Sequence, residues 1–200
     1  KLDILYFIFG AIILGYKLEA NSVGIGAFSS KSTILKKSLS LIDKISVRDK
    51  TSSNKLKNVG IKHQIKRDLI YELKFNFKKV INPKLVIITA TGPVLKFNKY
   101  YLDNYLEFIK SNVVKHSHKI VYTVFQKDED EFVYEILKKK LQNLKMVIPQ
   151  NIQELEELYN NCTEVLGMRY HSLVLADICG VNFKGFSYDD KVKDFCNEKN

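Results

Sequence analysis

Between residues 85 and 195, short β-branched runs alternate with helix-forming stretches, and this rhythm constrains the fold more than any other property of the chain. The run LVIITAT at 85–91 predicts a strand ended by Gly92-Pro93. An amphipathic helix follows at 100–114, with Tyr101, Tyr105, Phe108 and Ile109 on one side. Strands at 119–125, 145–148 and 164–166 are separated by helices at 128–141 and 152–159. The first of these helices starts acidic and ends in Lys138-Lys139-Lys140, a polarity that suits the helix dipole. Strand–helix alternation of this kind argues for a parallel, doubly wound sheet.

Before residue 85 the pattern is less complete. Residues 2–14 read as an apolar helix, too short for the roughly 20 residues that span a bilayer. Its apolar side needs partners, so the start at Lys1 reads as a cut through a longer protein. A strand at 18–25 runs into Gly24-x-Gly26, glycines that let backbone amides approach a ligand or simply make a tight turn. A helix at 31–42 and a strand at 44–47 follow; Asp49 can then cap a helix running to Val59, with Gly60 to end it. A further strand is expected at 61–65. The expected organisation is α/β: two Rossmann-like parallel-sheet units, residues 1–75 forming the incomplete N-terminal one, 76–84 a polar linker and 85–200 the C-terminal one.

The bulk composition is that of an ordinary globular protein, 46% hydrophobic and 27% charged. The formal net charge of +10 is mostly lysine and suits an anionic substrate or a membrane surface. Zinc-finger spacing, RNP-like aromatics and a dense basic helix are all missing, which argues against nucleic acid. Three widely spaced cysteines (Cys162, Cys179, Cys196) suggest neither a disulfide framework nor a zinc site, and fit a reducing cytosol. His63, His116 and His118 lie in polar surroundings and read as solvent-exposed rather than metal-binding. Walker, G-x-S-x-G and H-E-x-x-H motifs are absent.

The chemistry-bearing stretch is VLGMRYHSLVLADICG, residues 165–180. An apolar run ends at Gly167, Arg169 and His171 follow at once, and a helix closes at Gly180. Side chains two apart on a helix point about 200° apart, so Arg169 must sit in the turn and His171 in the first helical turn if both are to act on one ligand. The amides of that helix start favour an anion. Read structurally instead, Arg169 caps a neighbouring carbonyl and His171 is a satisfied, half-buried residue.

The pattern G-x-R-x-H-S-L-x-x-A-D, then G-V, then S-Y-D-x-K-V-x-x-F, resembles the C-terminal signature of the polysaccharide pyruvyltransferase family. Upstream, ISVRDKTSSNKL at 45–56 is similar to that family's I-S-x-R-D-x-x-S-x-x-x-L, and Ser22, Gly24, Ile25 and Gly26 to its S-x-G-I-G. The resemblance implies two facing Rossmann-like domains of GT-B type. It also implies transfer of the enolpyruvyl unit of phosphoenolpyruvate to two saccharide hydroxyls as a ketal, without a metal or cofactor. By the same resemblance Arg169 would clamp an anion and His171 would act as acid/base or contact the leaving phosphate. Gly24, Gly26, Arg48 and Asp49, with Ser52, and Tyr188, Asp189 and Lys191 match the family's motifs. Read from the strand pattern alone, Gly24–Gly26, Arg48–Asp49, Thr91–Gly92, Gln126 and Arg169–His171 fall at the carboxyl ends of strands, where ligands lie in open parallel sheets, and could line one donor and substrate cleft. From its own position Asp49 reads first as a helix cap, while Arg48 stays open between an ion pair at the helix entry and a ligand contact.

The implied partner is a saccharide or lipid-linked saccharide in the cytoplasm, and the basic charge is compatible with the inner face of a membrane. Two departures stand out: the strand at 85–91 ends without the arginine usual in the family, and the N-x-G-D-like glycine-rich start is missing. A GT-B-like glycosyltransferase using a nucleotide sugar and a non-catalytic member of the family are the alternative readings.

Overall fold

In the computed structural model, residues 8, 10–25, 33–78, 80–113 and 119–199 are described. The chain divides into two compact units, Lys1–Leu73 and Lys74–Asn200.

In the first unit, β1 (Glu19–Val23), β2 (Lys44–Val47) and β3 (Gln64–Ile65) form a parallel sheet in the order β1-β2-β3. Ile45 and Val47 turn to one face of it. There they pack with Leu56 and Val59 of the helix that follows and with Ile61. Helices α1 (Thr33–Ser40) and α2 (Lys50–Asn58) cross over between strands. Asp49 caps α2, its Oδ1 accepting from the Ser52 amide at 2.6 Å. The expected strand at 61–65 shrinks to two residues, and a 3₁₀ turn (Leu69–Glu72) capped by Asp68 follows it. Of the expected opening helix, residues 10–13 are helical and most of the rest lies outside the described residues. Gly26, His116 and His118 also lie outside them.

The second unit holds five parallel strands: β4 (Leu85–Thr89), β5 (Lys119–Thr123), β6 (Lys145–Val147), β7 (Cys162–Gly167) and β8 (Asn182–Gly185), in the order β6-β5-β4-β7-β8. Val86, Ile87 and Ile88 are all fully buried, because a parallel strand with helices on both sheet faces must be apolar on both. The helices are α3 (Gly92–Phe97), α4 (Lys99–Val113), α5 (Lys127–Lys138), α6 (Ile152–Asn160), α7 (Tyr170–Cys179) and α8 (Asp190–Lys199). Gly92-Pro93 does not simply end a strand; it opens α3, since proline's fixed φ suits the first turn of a helix. Residues 172–176 of α7 are buried on every side, and Gly180 stops the helix in the left-handed region at φ +65°.

The chain builds outward from β4 through β5 to β6, then returns beside β4 to place β7 and β8 on the other side. The order therefore reverses between β4 and β7. In open parallel sheets a crevice opens beyond the carboxyl ends of the strands at such a reversal.

Candidate active site

Three turns meet at the reversal point: 90–92 after β4, 124–126 after β5 and 168–169 after β7. Arg169 holds them together. It is the N-cap of α7 in extended conformation, and its guanidinium reaches back across the sheet edge. Its Nε donates to the Ala90 carbonyl at 3.0 Å, and one terminal nitrogen donates to the Gln126 side-chain oxygen. The other terminal nitrogen donates to Glu129 Oε2 at 2.9 Å and to Asp130 Oδ1 at 2.5 Å. Burial opposes the Arg169 charge, but the hydrogen bonds it donates to Asp130 and Glu129, with their negative charge, more than offset this, so its pKa is raised.

The two carboxylates differ in kind. Asp130 is wholly buried, whereas the Glu129 side chain is 39% exposed. Asp130 also accepts from the amides of Phe125 (3.2 Å), Gln126 (3.1 Å) and Gly92 (3.4 Å). Around them the backbone is packed without slack. A Cβ on Gly92 would stand 1.5 Å from the Glu129 carbonyl oxygen. One on Gly167 would stand 2.7 Å from Ser172 Oγ and 2.8 Å from Thr89 Oγ1. Ser172 donates to the Arg169 carbonyl at 2.6 Å and lies 2.7 Å from Thr89 Oγ1, which therefore donates to it. Tyr105 and Tyr159 donate to the carbonyls of Thr89 and Ser172, fixing the strand end and the helix start.

His171 sits in the first turn of α7 and is exposed, its ring edge-to-face with Tyr170 at 5.4 Å. Arg169 in the turn and His171 in the helix is the arrangement that joint action on one ligand requires. Tyr188 is half-buried against the core cluster that includes Met168. Burial raises its phenol pKa; the neighbouring Thr91 hydroxyl and the Arg169 charge pull the other way. Thr91 Oγ1 is buried beside the Tyr188 hydroxyl. Lys191 is half-buried at the second position of α8, after Asp189 has capped that helix through the Val192 amide. Arg169, Gln126 and Tyr188 thus gather at the reversal point.

Gly24, Arg48 and Asp49 belong to the other unit, at the carboxyl ends of β1 and β2. A Cβ on Gly24 would lie 3.0–3.3 Å from the Arg48 guanidinium, so the glycine is there to let the arginine lie flat on the backbone. Arg48 pairs with Asp68 at 2.7 Å. Asp49 caps α2 with one oxygen, while its buried Oδ2 makes no hydrogen bond among the described residues. Ser52 donates its amide to Asp49 and accepts from the Ile25 amide on its hydroxyl at 2.8 Å, which ties the glycine turn to α2. His63, expected to be solvent-exposed, is half-buried and bonded at both ring nitrogens, to Ser53 Oγ and the Ile61 carbonyl, each at 2.8 Å.

The residues that sequence reasoning passed over are Glu129 and Asp130. The acidic start of α5 was fully accounted for by the helix dipole, and nothing local reveals that Arg169, 39 positions on, lands against it. Among the described residues no three His, Cys, Asp or Glu side chains gather as a metal site. No helix among them is long and apolar enough to cross a membrane.

A family model described as polysaccharide pyruvyl transferase matches residues 3–190. No curated protein matches the chain. Among solved structures, the chain is similar to the UDP-GlcNAc 2-epimerase from Methanocaldococcus jannaschii, at 17% identity and TM-score 0.55, over 91% of this chain and 57% of that one. It is also similar to a Listeria monocytogenes protein described as a UDP-N-acetylglucosamine 2-epimerase, at 12% identity and TM-score 0.63, over 95% of this chain and 56% of that one. Likeness at this identity concerns the fold, which is Rossmann-like and GT-B-like. The chain spans a little over half the length of either structure.

Proposed function

Because the chain belongs to the polysaccharide pyruvyl transferase family, we propose that it transfers a pyruvyl unit from phosphoenolpyruvate to two hydroxyls of a saccharide, with Arg169 and the start of α7 as the donor's anion site. The observation that carries this reading is the position of Arg169: at the sheet's reversal point, on the N-terminus of a ten-residue helix, with His171 exposed in the first turn. A helix start offers positive potential to a phosphate, and arginine offers a planar fork to a phosphate or carboxylate.

The reaction sets definite demands. The donor's methylene gains a proton and becomes a methyl group; its C2 bonds to two acceptor oxygens and loses phosphate. Of the two hydroxyl protons released, one balances the methyl group and the other leaves with phosphate. His171 is the group placed to move a proton, and Arg169 to bear the charge that develops on the leaving oxygen. The half-buried Tyr188 and Lys191 support the crevice wall. No metal or cofactor is required in this scheme, and the acceptor is a saccharide or lipid-linked saccharide presented at the cytoplasmic side of a membrane.

Arg169 as it stands faces two carboxylates, so the local balance is one negative charge in excess. An incoming anion must displace one of them. Glu129 is the partner that can leave, because it is partly exposed, whereas Asp130 is bound from four sides.

Ligand-observed NMR with phosphoenolpyruvate tests the proposal. Binding is expected for the intact chain and its loss for Arg169→Ala, with His171→Ala weakening it. Binding of UDP with no response to phosphoenolpyruvate would instead favour a nucleotide-sugar glycosyltransferase. Indifference to both, repeated with the full-length gene product, would point to a non-catalytic member of the family.

A further inference from the structure

The joint between α3 and α4 carries two aromatic rings into water on a fixed backbone. Phe97 is 83% exposed and Tyr100 is 73% exposed, with Lys96, Asn98 and Lys99 exposed between and beside them. These five consecutive residues include no carboxylate; the next one is Asp103, a turn further along α4. The Lys96 ammonium stands 5.9 Å from the centre of the Phe97 ring.

The exposure is built in by the fold. Leu95 is buried on one side of the joint, and Tyr101 and Leu102 pack against the core on the other. Asn98 accepts from the Tyr101 amide through its side chain and from the Leu102 amide through its carbonyl, pinning the start of α4. One turn on, Tyr105 donates to the carbonyl of Thr89, the last residue of β4. With a rise of 1.5 Å per residue, Tyr100 stands roughly 7.5 Å from Tyr105 along the axis, toward the start of the helix. The two rings and two cations therefore project on the side of the sheet where the Arg169 crevice opens.

We propose that this knuckle docks the protein on an anionic lipid surface. Aromatic rings flanked by lysines suit the interfacial zone of a bilayer, where the rings enter the headgroup layer and the ammonium groups meet lipid phosphates. The charge complementarity is direct: two lysines and no carboxylate at the tip, on a chain of net charge +10. Five residues are too few for a stable contact with another protein, which takes about 800 Å² per partner, but enough for shallow insertion. Lipid docking would bring the crevice towards a lipid-linked acceptor. The inference rests on the exposed surface and not on the pyruvyl chemistry, since vesicle binding needs neither donor nor acceptor.

The test is co-sedimentation of the full chain with phosphatidylcholine vesicles, with and without phosphatidylglycerol. Binding is expected only to the anionic vesicles. A lysine near such a surface contributes about 1 kcal/mol, a fivefold change in affinity, so Lys96→Gln with Lys99→Gln should weaken binding roughly 25-fold. Phe97→Ser with Tyr100→Ser should weaken it at least about tenfold, with the melting temperature unchanged. Lys138→Gln with Lys139→Gln, a pair at the end of α5, is the control for diffuse charge. The proposal is overturned if the control pair weakens binding equally, if the aromatic pair leaves binding unchanged, or if the intact chain does not bind. It is also overturned if sedimentation velocity shows a dimer that the aromatic substitutions dissolve. Phosphoenolpyruvate binding measured in the same preparations keeps failure here separate from failure of the transfer reading.

Discussion

Asp130 accepts four hydrogen bonds from three different turns: Gly92 after β4, Phe125 and Gln126 after β5, and Arg169 after β7. Removing it leaves the half-buried Arg169 short of its firmest partner and three amides without an acceptor. Asp130→Ala is therefore expected to cost about 3–5 kcal/mol, read as a shift in the urea midpoint at constant slope. Glu129 behaves differently because water already reaches it. Glu129→Gln removes the displaceable negative charge beside Arg169, so phosphoenolpyruvate should bind several-fold more tightly in an NMR titration while the urea midpoint hardly moves. Weaker binding in that variant would show that Glu129 helps to hold the donor rather than competing with it. Neither role is visible locally, since both residues read as ordinary first-turn acids of a helix.

At the scale of elements, helix starts and stops followed the local signals closely. Asp49 caps α2, Gly180 ends α7 in the left-handed region, and Asn151 caps α6. Such features depend on a few neighbouring atoms, which is why they can be read from sequence. Asp49→Ala should cost about 1 kcal/mol in thermal or urea unfolding and Asp49→Asn much less, because asparagine keeps the capping oxygen. What escaped was the short α3, which depends on how α3 and α5 approach. Gly92 touches the backbone of α5 so closely that a methyl group has no room, and the atom it meets is a carbonyl, not a flexible side-chain end. Gly92→Ala should separate the two helix starts and destabilise the second unit by at least about 2 kcal/mol, with Arg169-dependent anion binding lost as well. Wild-type stability in that variant would mean that the turn is softer than its packing implies.

Across the whole molecule, several ionisable groups are buried in their neutral forms, and the pH dependence of stability follows from them. Burial pushes the Cys162 thiol up to about 12 from an ordinary 9.0. It also raises the phenols of Tyr105, Tyr122 and Tyr159 above their usual 10.0. In the unfolded chain these groups lose protons from about pH 9 upward, while the folded chain keeps them. The unfolded state then binds fewer protons, so stability is complete below pH 9 and falls as pH rises through the window up to about 12. Each withheld proton steepens the fall by about 1.4 kcal/mol per pH unit. Urea unfolding across this range should show it, with tyrosinate absorbance for the buried rings appearing only as the protein unfolds. Cys162→Ala should make the dependence shallower by one proton.

The sequence by itself determined the parallel α/β class, the alternation of strands and helices in the second unit, the caps and the family motifs. Each of these is set by hydrophobic period, backbone preference or residues close along the chain. On the condition that both act on one ligand, helical geometry also put Arg169 in a turn and His171 in a helix. Only the tertiary structure decided that Arg169 meets Gln126, Glu129 and Asp130, that Arg48 lies on Gly24 and that His63 bonds to Ser53. Those contacts join turns that neighbouring strands bring together. The strand order that makes them neighbours follows from burying both sheet faces at once, a condition on the whole chain that no local stretch records.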